Sequence, residues 1–534
     1  MKKRAMFMYM VLFVLWFALY AAIETLKTKG ELTQAGQTSL LDQEGNPILP
    51  AATNWIHHYE IPELFLDYID KEGITNSLPN LLYSNQPIKR FVTQQLMEHS
   101  FSKQLQQEIV VNKMYFNNGI VGMGNASSYY FNKKLSETTE LEQTLLLMLS
   151  QKREYKNIKT EMHSFLLGLE NKGYITKVEQ QKMQSRIPSL IDRINNPNTI
   201  AQSYTQQVVK ELKETFDLSE GEIFRKGYAV RTTLDSDIQE RMYQTFQDMK
   251  NFPYKERSFI EAGGAVIEED SGRIAALMGG RYYHTSTFNR ATDTTRQPAS
   301  TFKPLIEYAP AIDMGWKPTD YLKDVPMKVG DYEPKNYDGE YRKQVTLEEA
   351  LVHSYNIPAV WLLNEIGLNK GLQYMDKFDL FSLDREDGFG LALGFTSIGT
   401  SPLSMAQAYT IFPNEGKMTE AHAVERIESQ DGKRIYKTHR FQKRIIKEKT
   451  AETMLPMLQE VVKSGTGDEA QMKGQKIAGK TGTTSYDGWF VGFNDKYVGS
   501  FWIGPDEVTP RNRMVYSGAE YPAELFKKVF SEID

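Results

Sequence analysis

The sequence predicts a multi-domain α+β protein with an N-terminal transmembrane helix, a mostly helical first half and a second half that contains β-hairpins. Three observations support this fold class. A basic cluster followed by an uncharged run opens the chain, helical periodicity dominates most of the first 228 residues, and strand–turn–strand patterns recur in the second half. A length of 534 residues allows two or three domains.

The composition excludes several classes of function. Apolar residues make up 40% of the chain and charged residues 25%, which is typical of globular domains with buried cores. A net charge of −5 gives no reason to expect a nucleic-acid partner. The absence of cysteine excludes disulfides, thiol catalysis and cysteine zinc sites. The eight histidines include no His-Glu-x-x-His pattern, so we expect neither a metal nor another cofactor.

The N-terminus predicts a single-pass membrane anchor. Lys2, Lys3 and Arg4 precede the uncharged run Ala5–Ile23, whose 19 residues match the thickness of a bilayer core. The basic cluster is expected in the cytoplasm, which places the rest of the chain outside the cell membrane. A cleaved signal peptide is the alternative, although its apolar region usually has about 7–15 residues. We assign residues 1–26 to the anchor and 27–55 to a juxtamembrane linker.

A serine and a lysine three residues apart are the first candidates for catalysis. They follow a predicted β-hairpin over residues 265–278, and a helix beginning near Ser300 would place Ser300 and Lys303 on one face. The hydroxyl would then lie beside an amine that can take its proton, near the positive end of the helix dipole. The pattern alone is not specific, because Ser100 and Lys103 repeat it. We interpret that second pair as an accidental surface pair.

Two further motifs follow in the second half. Ser354-Tyr355-Asn356 comes after a predicted helix that begins at Thr346. Lys480-Thr481-Gly482-Thr483 contains the only Lys-Thr-Gly of the chain. It precedes two strand patterns, Gly488–Phe493 and Tyr497–Ile503, so we expect Lys480 on a strand edge with a hairpin after it.

These three motifs, in this order, resemble the active-site triplet of penicillin-binding proteins and serine β-lactamases. The surrounding sequence is similar to class A penicillin-binding proteins in Phe288–Thr292, Arg296–Pro298, Glu333–Tyr337, Asn356–Val360, Ser464–Gly467, Gly479–Thr483 and Asp487–Gly492. The resemblance covers residues 228–510. It implies a linker region over 196–257 and a transpeptidase domain over 258–534, with an antiparallel sheet flanked by helices as in serine β-lactamases.

The resemblance also implies roles. Ser300 attacks the penultimate D-Ala carbonyl of a peptidoglycan stem peptide, Lys303 is the general base, and Ser354 passes the proton to the leaving amine. Asn356 holds Lys303 and the substrate amide, and Lys480 and Thr481 shape the electrostatics of the site. Gly482 and Thr483 belong to the substrate-binding segment, where Thr483 binds the terminal carboxylate. The N–H groups of Ser300 and Thr483 form the oxyanion hole, and β-lactams block Ser300.

Small departures from the family pattern accompany these matches. Ala299 stands where the family more often has glycine, and Tyr355 stands where β-lactamases have aspartate. Neither change removes a reacting group. His353 lies next to Ser354, and we interpret it as a packing or hydrogen-bonding residue, not as a base.

The first half resembles a disabled family 51 glycosyltransferase. Residues 103–150 match the C-terminal lobe of that family, but its Glu-Asp-x-x-Phe-x-x-His-x-Gly motif is missing. Arg90 stands where a second family glutamate is expected, and an arginine cannot accept a proton at neutral pH. We interpret Glu72 and Glu98 as surface carboxylates. The sequence therefore predicts a degenerate, helical domain over 56–195 without glycan polymerisation, which would depend on a separate glycan polymerase.

Three alternatives use the same residues. A D,D-carboxypeptidase or endopeptidase differs only in using water as the acceptor. A β-lactamase fits poorly with the predicted anchor and the additional first half. A non-enzymatic scaffold or β-lactam sensor is disfavoured by the complete set of three motifs. Fold reasoning alone does not separate these functions.

Overall fold

The structure is a computed structural model of the 534-residue chain. It describes residues 22, 25–26, 28–30, 32, 37–48, 56–82, 87–116, 119–151, 158–191, 200–253, 260–281, 288–429, 431–514, 520–531 and 533. These residues form two compact units. Unit 1 comprises 1–199, 209–231 and 426–436, and unit 2 comprises 200–208, 232–425 and 437–534.

The predicted anchor Ala5–Ile23 lies, apart from Ala22, outside the described residues. Within the described ranges, every helix is too short or too polar to cross a membrane. The segment predicted as a juxtamembrane linker contains a strand, Ser39–Leu41, which pairs in parallel with Ala229–Thr232. Leu40 is fully buried in this strand, so burial of an apolar side chain favours its formation.

Unit 1 is mostly helical, as the sequence predicts. Its helices are Glu63–Lys71, Ile74–Leu82, Pro87–His99, Lys103–Lys113, Met123–Phe131, Glu140–Gln151, Ile158–Asn171, Lys177–Gln184, Ile187–Ile191 and Glu220–Arg225, with 3-10 turns at His58–Glu60 and Leu135–Glu137. It contains the hairpin Tyr115–Phe116 with Ile120–Val121 and most of a four-stranded sheet. The strands of that sheet are, in order, Ser39–Leu41, Ala229–Thr232, Val424–Glu428 and Arg434–Lys437, and the last three have terminal residues assigned to unit 2. The helix Gln202–Phe216 has residues in both units.

The core of unit 1 surrounds the helix Glu140–Gln151. Every residue from Leu141 to Leu149 is buried, including the polar ones. A helix that is buried on all sides belongs at the centre of a helical layer. Its buried Glu142 accepts two hydrogen bonds from Lys133 Nζ, at 2.8 and 2.9 Å, which satisfies the carboxylate inside the core.

Unit 2 combines helices with a five-stranded sheet. Its strands are Ile260–Glu268, Ile274–Met278, Tyr321–Asp324, Lys343–Thr346, Lys417–Thr419, Gln442–Arg444, Ala478–Thr483, Gly488–Phe493 and Tyr497–Pro505. Its α-helices are Ser236–Gln247, Ala309–Asp313, Leu347–Val352, Asn356–Ile366, Leu368–Asp376, Pro402–Tyr409, Glu448–Lys463 and Glu520–Phe530. A π-helical turn spans Pro304–Tyr308, and 3-10 segments span Met249–Asn251, Ala299–Phe302, Arg385–Leu393, Asp468–Ala470 and Pro510–Asn512.

The main sheet is antiparallel throughout. Its order is Ala478–Thr483, Gly488–Phe493, Tyr497–Pro505, Ile260–Glu268 and Ile274–Met278. The strand Ala478–Thr483, called here the lysine strand, is therefore at one edge of the described sheet. All four strands of the two predicted hairpins, residues 265–278 and 488–503, are present at the predicted positions, and the predicted helix after Thr346 begins at Leu347.

Both faces of this sheet are covered, which buries every residue of Tyr497–Pro505. On one face, Phe490 and Phe501 pack against Phe526 of the C-terminal helix. On the other face, Phe493 stacks on Phe412 at a ring distance of 6.2 Å. Side chains alternate along a strand, so this arrangement places Lys480, the partner of Val491, on the same face as Phe493.

Candidate active site

Ser300 lies in a short 3-10 turn, Ala299–Phe302, and not in the regular helix that the sequence predicts. We call this segment the serine turn. Lys303 follows it, and the π-helical turn Pro304–Tyr308 leads into the helix Ala309–Asp313. The physical reason is that Pro304 and Pro310 have no N–H to donate, which removes the hydrogen bonds of a regular α-helix at both positions.

The serine turn begins with a left-handed residue. Ala299 has φ +51°, a conformation that costs an alanine about 1–2 kcal/mol. Gly394 packs directly against it, and a Cβ on Gly394 would lie 2.1 Å from the Ala299 carbonyl oxygen. The turn is therefore held by a contact that requires glycine at position 394.

Three hydrogen bonds attach the serine turn and the residues before it to the sheet and to a neighbouring helix. Trp489 Nε1 donates to the Gln297 carbonyl at 2.9 Å, and Tyr409 Oη donates to the Thr301 carbonyl at 2.5 Å. Arg296 Nε donates to Asp487 Oδ1 at 2.6 Å. The matched stretches Arg296–Pro298 and Asp487–Gly492 thus meet, and together they fix the position of the nucleophile candidate.

Lys303 is fully buried and its amine is surrounded by oxygens of the second motif. Lys303 Nζ donates to the Ser354 carbonyl at 2.7 Å, the Tyr355 carbonyl at 3.1 Å and Asn356 Oδ1 at 3.0 Å, and it lies 3.4 Å from Ser354 Oγ. Within the described residues, Ser300 Oγ is not among its acceptors. Ser300 and Lys303 are thus close in sequence, but no hydrogen bond joins the hydroxyl and the amine among the described residues. Catalytic hydrogen bonds are often long or poorly aligned before substrate binds.

Ser354 lies between two lysines. Lys480 Nζ donates to Ser354 Oγ at 2.8 Å and to the Thr481 carbonyl at 3.1 Å. Ser354 itself has φ +57°, in the left-handed region that is rare for residues other than glycine. Strain of this kind is often found at functional sites, where surrounding contacts hold the residue in place.

Burial changes the protonation of both lysines. It lowers the pKa of Lys303 to about 7, and the nearby Glu307 opposes that change. It also lowers the pKa of Lys480 well below its ordinary value, and the positive charge of Lys303 adds to the effect. An amine with a pKa near 7 is uncharged in half of the molecules at neutral pH. It can therefore accept a proton from a hydroxyl group.

The lysine strand approaches the serine turn at Gly482. A Cβ on Gly482 would lie 2.7 Å from the Pro298 carbonyl oxygen and 3.0 Å from Thr301 Cγ2, so a larger residue would separate the two segments. Thr483, the last residue of the strand, is exposed. Thr481 shares a hydrogen bond of 2.6 Å with Thr466 of the matched stretch Ser464–Gly467.

Asn356 is positioned by a residue that the sequence did not identify as functional. Asn336 Oδ1 accepts hydrogen bonds from the N–H groups of Asn356, at 3.0 Å, and Ile357, at 2.9 Å. It caps the helix Asn356–Ile366, called here the asparagine helix. Asn336 Nδ2 donates to the buried Asp324 at 2.6 Å, and Asn356 Nδ2 donates to the Lys335 carbonyl at 3.0 Å.

The structure therefore brings Lys303, Ser354, Asn356 and Lys480 together. Ser300 is partly exposed and Thr483 is exposed. Thr466, Asn336 and Glu307 were missed. Thr466 and Asn336 lie in stretches that resemble the family, but only their hydrogen bonds in the structure connect them to the site. Glu307, four residues after Lys303, is fully buried and carries no sequence signal of its own.

Several other predicted residues lie away from this group. The ring of His353 stacks on Tyr355 at 5.5 Å. Ser100 follows the helix Pro87–His99, whereas Lys103 begins the next helix and pairs with Asp70 at the surface. The second Ser-x-x-Lys pair thus belongs to a turn between two helices, not to one surface helix.

In unit 1, the carboxylates Glu72 and Glu98 are tied to surface partners. Lys172 and Tyr174 each donate to Glu72 at 2.7 Å, and these bonds lower the pKa of Glu72. Gln94 Nε2 donates to Glu98 at 2.8 Å. A lowered pKa makes a carboxylate a weaker base, which is the opposite of what general-base catalysis needs. Across the described residues, no three histidine or carboxylate side chains are grouped to hold a metal.

Comparisons with known proteins agree with the two halves of the chain. Residues 263–530 match the family described as the penicillin binding protein transpeptidase domain, and residues 83–169 match the transglycosylase family. Penicillin-binding protein 1F of Bacillus subtilis is 34% identical over 452 residues, which cover 82% of this chain and 62% of that relative. Penicillin-binding protein 4 of the same organism is 30% identical over 478 residues, which cover 82% of this chain and 76% of that protein.

Solved structures share the fold. Penicillin-Binding Protein 1A from Haemophilus influenzae superposes with a TM-score of 0.59 at 18% identity and covers 94% of this chain and 93% of its own. PonA1 from Mycobacterium tuberculosis has a TM-score of 0.55 at 21% identity and covers 62% of this chain and 90% of its own. Together with the two family matches, these similarities show that the chain belongs to the class A penicillin-binding proteins.

Proposed function

We propose that this protein is a serine D,D-transpeptidase that cross-links peptidoglycan stem peptides and is blocked by β-lactams. One observation carries the proposal: two fully buried lysines, Lys303 and Lys480, converge on Ser354, and Lys303 follows the partly exposed Ser300 by three residues. A pKa of about 7 suits Lys303 to the role of a general base. The related PonA1 structure in complex with penicillin V, at 21% identity, supports β-lactam binding.

The proposed reaction has two steps. Ser300 Oγ attacks the carbonyl of the penultimate D-Ala and its proton passes to Lys303 Nζ. The peptide C–N bond then breaks, and the terminal D-Ala leaves with a proton relayed through Ser354. In the second step, an amine of a neighbouring stem peptide attacks the ester, and Ser300 is released. Asn356 would bind the substrate amide, and Thr483 would bind the terminal carboxylate.

A second part of the proposal concerns the activity of the first half of the chain. We propose that the transglycosylase-like region has lost glycan polymerisation, because the surface partners of Glu72 and Glu98 leave neither carboxylate in a site suited to a general base. Lipid-anchored strands would come from a separate polymerase. We also propose that the basic and apolar N-terminus anchors the protein in the cell membrane, with both units outside.

The decisive experiment treats the detergent-solubilised full chain with penicillin and locates the adduct by mass spectrometry. We expect one acyl group on Ser300. Ser300→Ala should lose it and Ser100→Ala should keep it, since Ser100 has the same local pattern without the buried lysines. A chain without any adduct would exclude acyl-enzyme chemistry and favour a scaffold, and rapid release of the opened drug would favour a β-lactamase.

A second assay distinguishes the acceptors. The protein is incubated with lipid II alone or with preformed glycan strands, and the products are separated by chromatography. We expect cross-linked peptides only with preformed strands. Release of D-Ala without cross-links would identify a carboxypeptidase, and strand formation from lipid II would contradict the proposed loss of polymerase activity.

A further inference from the structure

Glu307 is an acidic residue in the interior of unit 2. Its side chain is fully buried, and within the described residues neither carboxyl oxygen has a hydrogen-bond partner. An unpaired polar group inside a protein costs stability, and an unpaired charge costs more. An apolar side chain of the same size would pack here without that cost, so the fold alone does not account for Glu307.

The position of Glu307 relates it to the reacting lysine. It follows Lys303 by four residues in the π-helical turn Pro304–Tyr308, so the two side chains leave the same stretch of helix about one turn apart. The ionisable groups that interact with Glu307 are Lys303, Lys480, Tyr308 and Tyr409. The two lysines are the cationic ones, and both converge on Ser354.

We propose that Glu307 is a positioning residue for acylation, whose carboxylate is the buried counter-charge for the ammonium that forms on Lys303. This inference rests on the proposed function, in which the Ser300 proton moves to Lys303 Nζ as the bond between Ser300 Oγ and the carbonyl carbon forms. The new ammonium would be buried near the amine of Lys480, and positive charge on Lys303 already disfavours protonation of Lys480. A carboxylate nearby stabilises the charge that appears in that step.

The direction of the electrostatic effects is consistent with this role. Burial raises the pKa of Glu307 well above its ordinary value, whereas positive charge on either lysine lowers it again. The carboxyl therefore ionises most readily when Lys303 is protonated. In return, ionised Glu307 raises the pKa of Lys303 and makes it a stronger base. These charges interact through an interior of low polarity, where the interaction is stronger than in water.

The test compares three variants with the wild type by the rate of labelling with a fluorescent penicillin between pH 5.5 and 9.5, on the detergent-solubilised full chain. Glu307→Gln keeps the shape but removes the charge, so the pH of half-maximal acylation should fall by about one unit, and the plateau rate should fall about tenfold. Tyr308→Phe is the matched control. It removes a neighbouring buried hydroxyl that also lacks a partner in the described chain, and it should leave the pH profile unchanged.

Glu307→Met separates function from stability. It should slow acylation, yet raise the midpoint of thermal unfolding by about 2–4 °C, because an apolar side chain replaces an unpaired acid. An unchanged pH profile in Glu307→Gln, or a loss of folded protein in both Glu307 variants, would overturn the inference. Failure of the wild type to be labelled at Ser300 would instead overturn the proposed function itself.

Discussion

At the scale of single residues, burial of the Lys303 amine has a direct consequence for pH dependence. A lysine with a pKa of about 7 loses its proton as pH rises through 7, and only the uncharged form can accept the Ser300 proton. We expect the acylation rate to increase from pH 6 to pH 8 and to level off above pH 8, as measured by penicillin labelling. Lys303→Arg, which stays charged, should not be labelled. A rate independent of pH in this range would contradict the role of Lys303.

The left-handed backbone of Ala299 has an effect on the free energy of unfolding that can be measured. This conformation is unfavourable for alanine but not for glycine, so Ala299→Gly should stabilise the protein by about 1 kcal/mol. Ala311, in the helix Ala309–Asp313, is a control with ordinary helical geometry, and Ala311→Gly should destabilise by at least about 1 kcal/mol. Urea unfolding measures both. A loss of stability in Ala299→Gly would show that the contact with Gly394 depends on the methyl group.

At the scale of elements, the cap of the asparagine helix connects stability to the site. Asn336→Ala removes the acceptor of two N–H groups and leaves the buried Asp324 with one partner fewer, at a cost of about 1–2 kcal/mol for the cap alone. Because Asn356 would shift, we expect penicillin acylation to slow by about 10- to 100-fold.

A cap in another helix provides the control for this prediction. Ser401 Oγ accepts from the Ser404 N–H at 3.2 Å and caps the helix Pro402–Tyr409. Ser401→Ala should lower stability by a similar amount, measured by urea unfolding, and should leave acylation unchanged. Equal slowing of acylation in both variants would mean that lost stability, not the position of Asn356, limits the rate.

Sequence patterns predicted some elements well and others poorly, for physical reasons. The hairpins of the main sheet and the helix after Thr346 follow from local alternation and capping, which act over a few residues. The spacing of Ser300 and Lys303 predicts a regular helix, whereas Pro304 and Pro310 lack the N–H groups that such a helix needs. Asn336 and Glu307 could not be assigned, since their significance depends on Asn356 and Lys480, which are distant in sequence.

At the scale of the whole domain, one buried ion pair joins segments 191 residues apart. Asp487 Oδ1 accepts from both Arg296 Nε, at 2.6 Å, and Trp502 Nε1, at 3.0 Å. Asp487→Ala would leave the largely buried Arg296, 13% exposed, without its carboxylate partner, which costs up to about 3–5 kcal/mol. We expect a marked fall in the thermal unfolding midpoint, together with slower acylation.

A surface pair of the same kind is the control for Asp487. Arg290 Nε donates to Asp506, whose side chain is 53% exposed, although Arg290 is itself only 13% exposed. Arg290 also keeps a second carboxylate, Glu261, at 3.9 Å. Asp506→Ala should therefore cost about 1 kcal/mol or less. Similar losses in the two variants would show that burial of the Arg296–Asp487 pair contributes little to the domain.

The lysine strand has a neighbouring strand on one side only in the described sheet. Its other side presents main-chain donors and acceptors, which an extended peptide can pair with whatever its side chains are. Recognition of this kind tolerates chemical variation along the bound peptide, because backbone groups are the same in every residue. Discrimination between peptides bound in this way would then come from the C-terminal end of that edge, where Gly482 adjoins the serine turn and Thr483 is exposed.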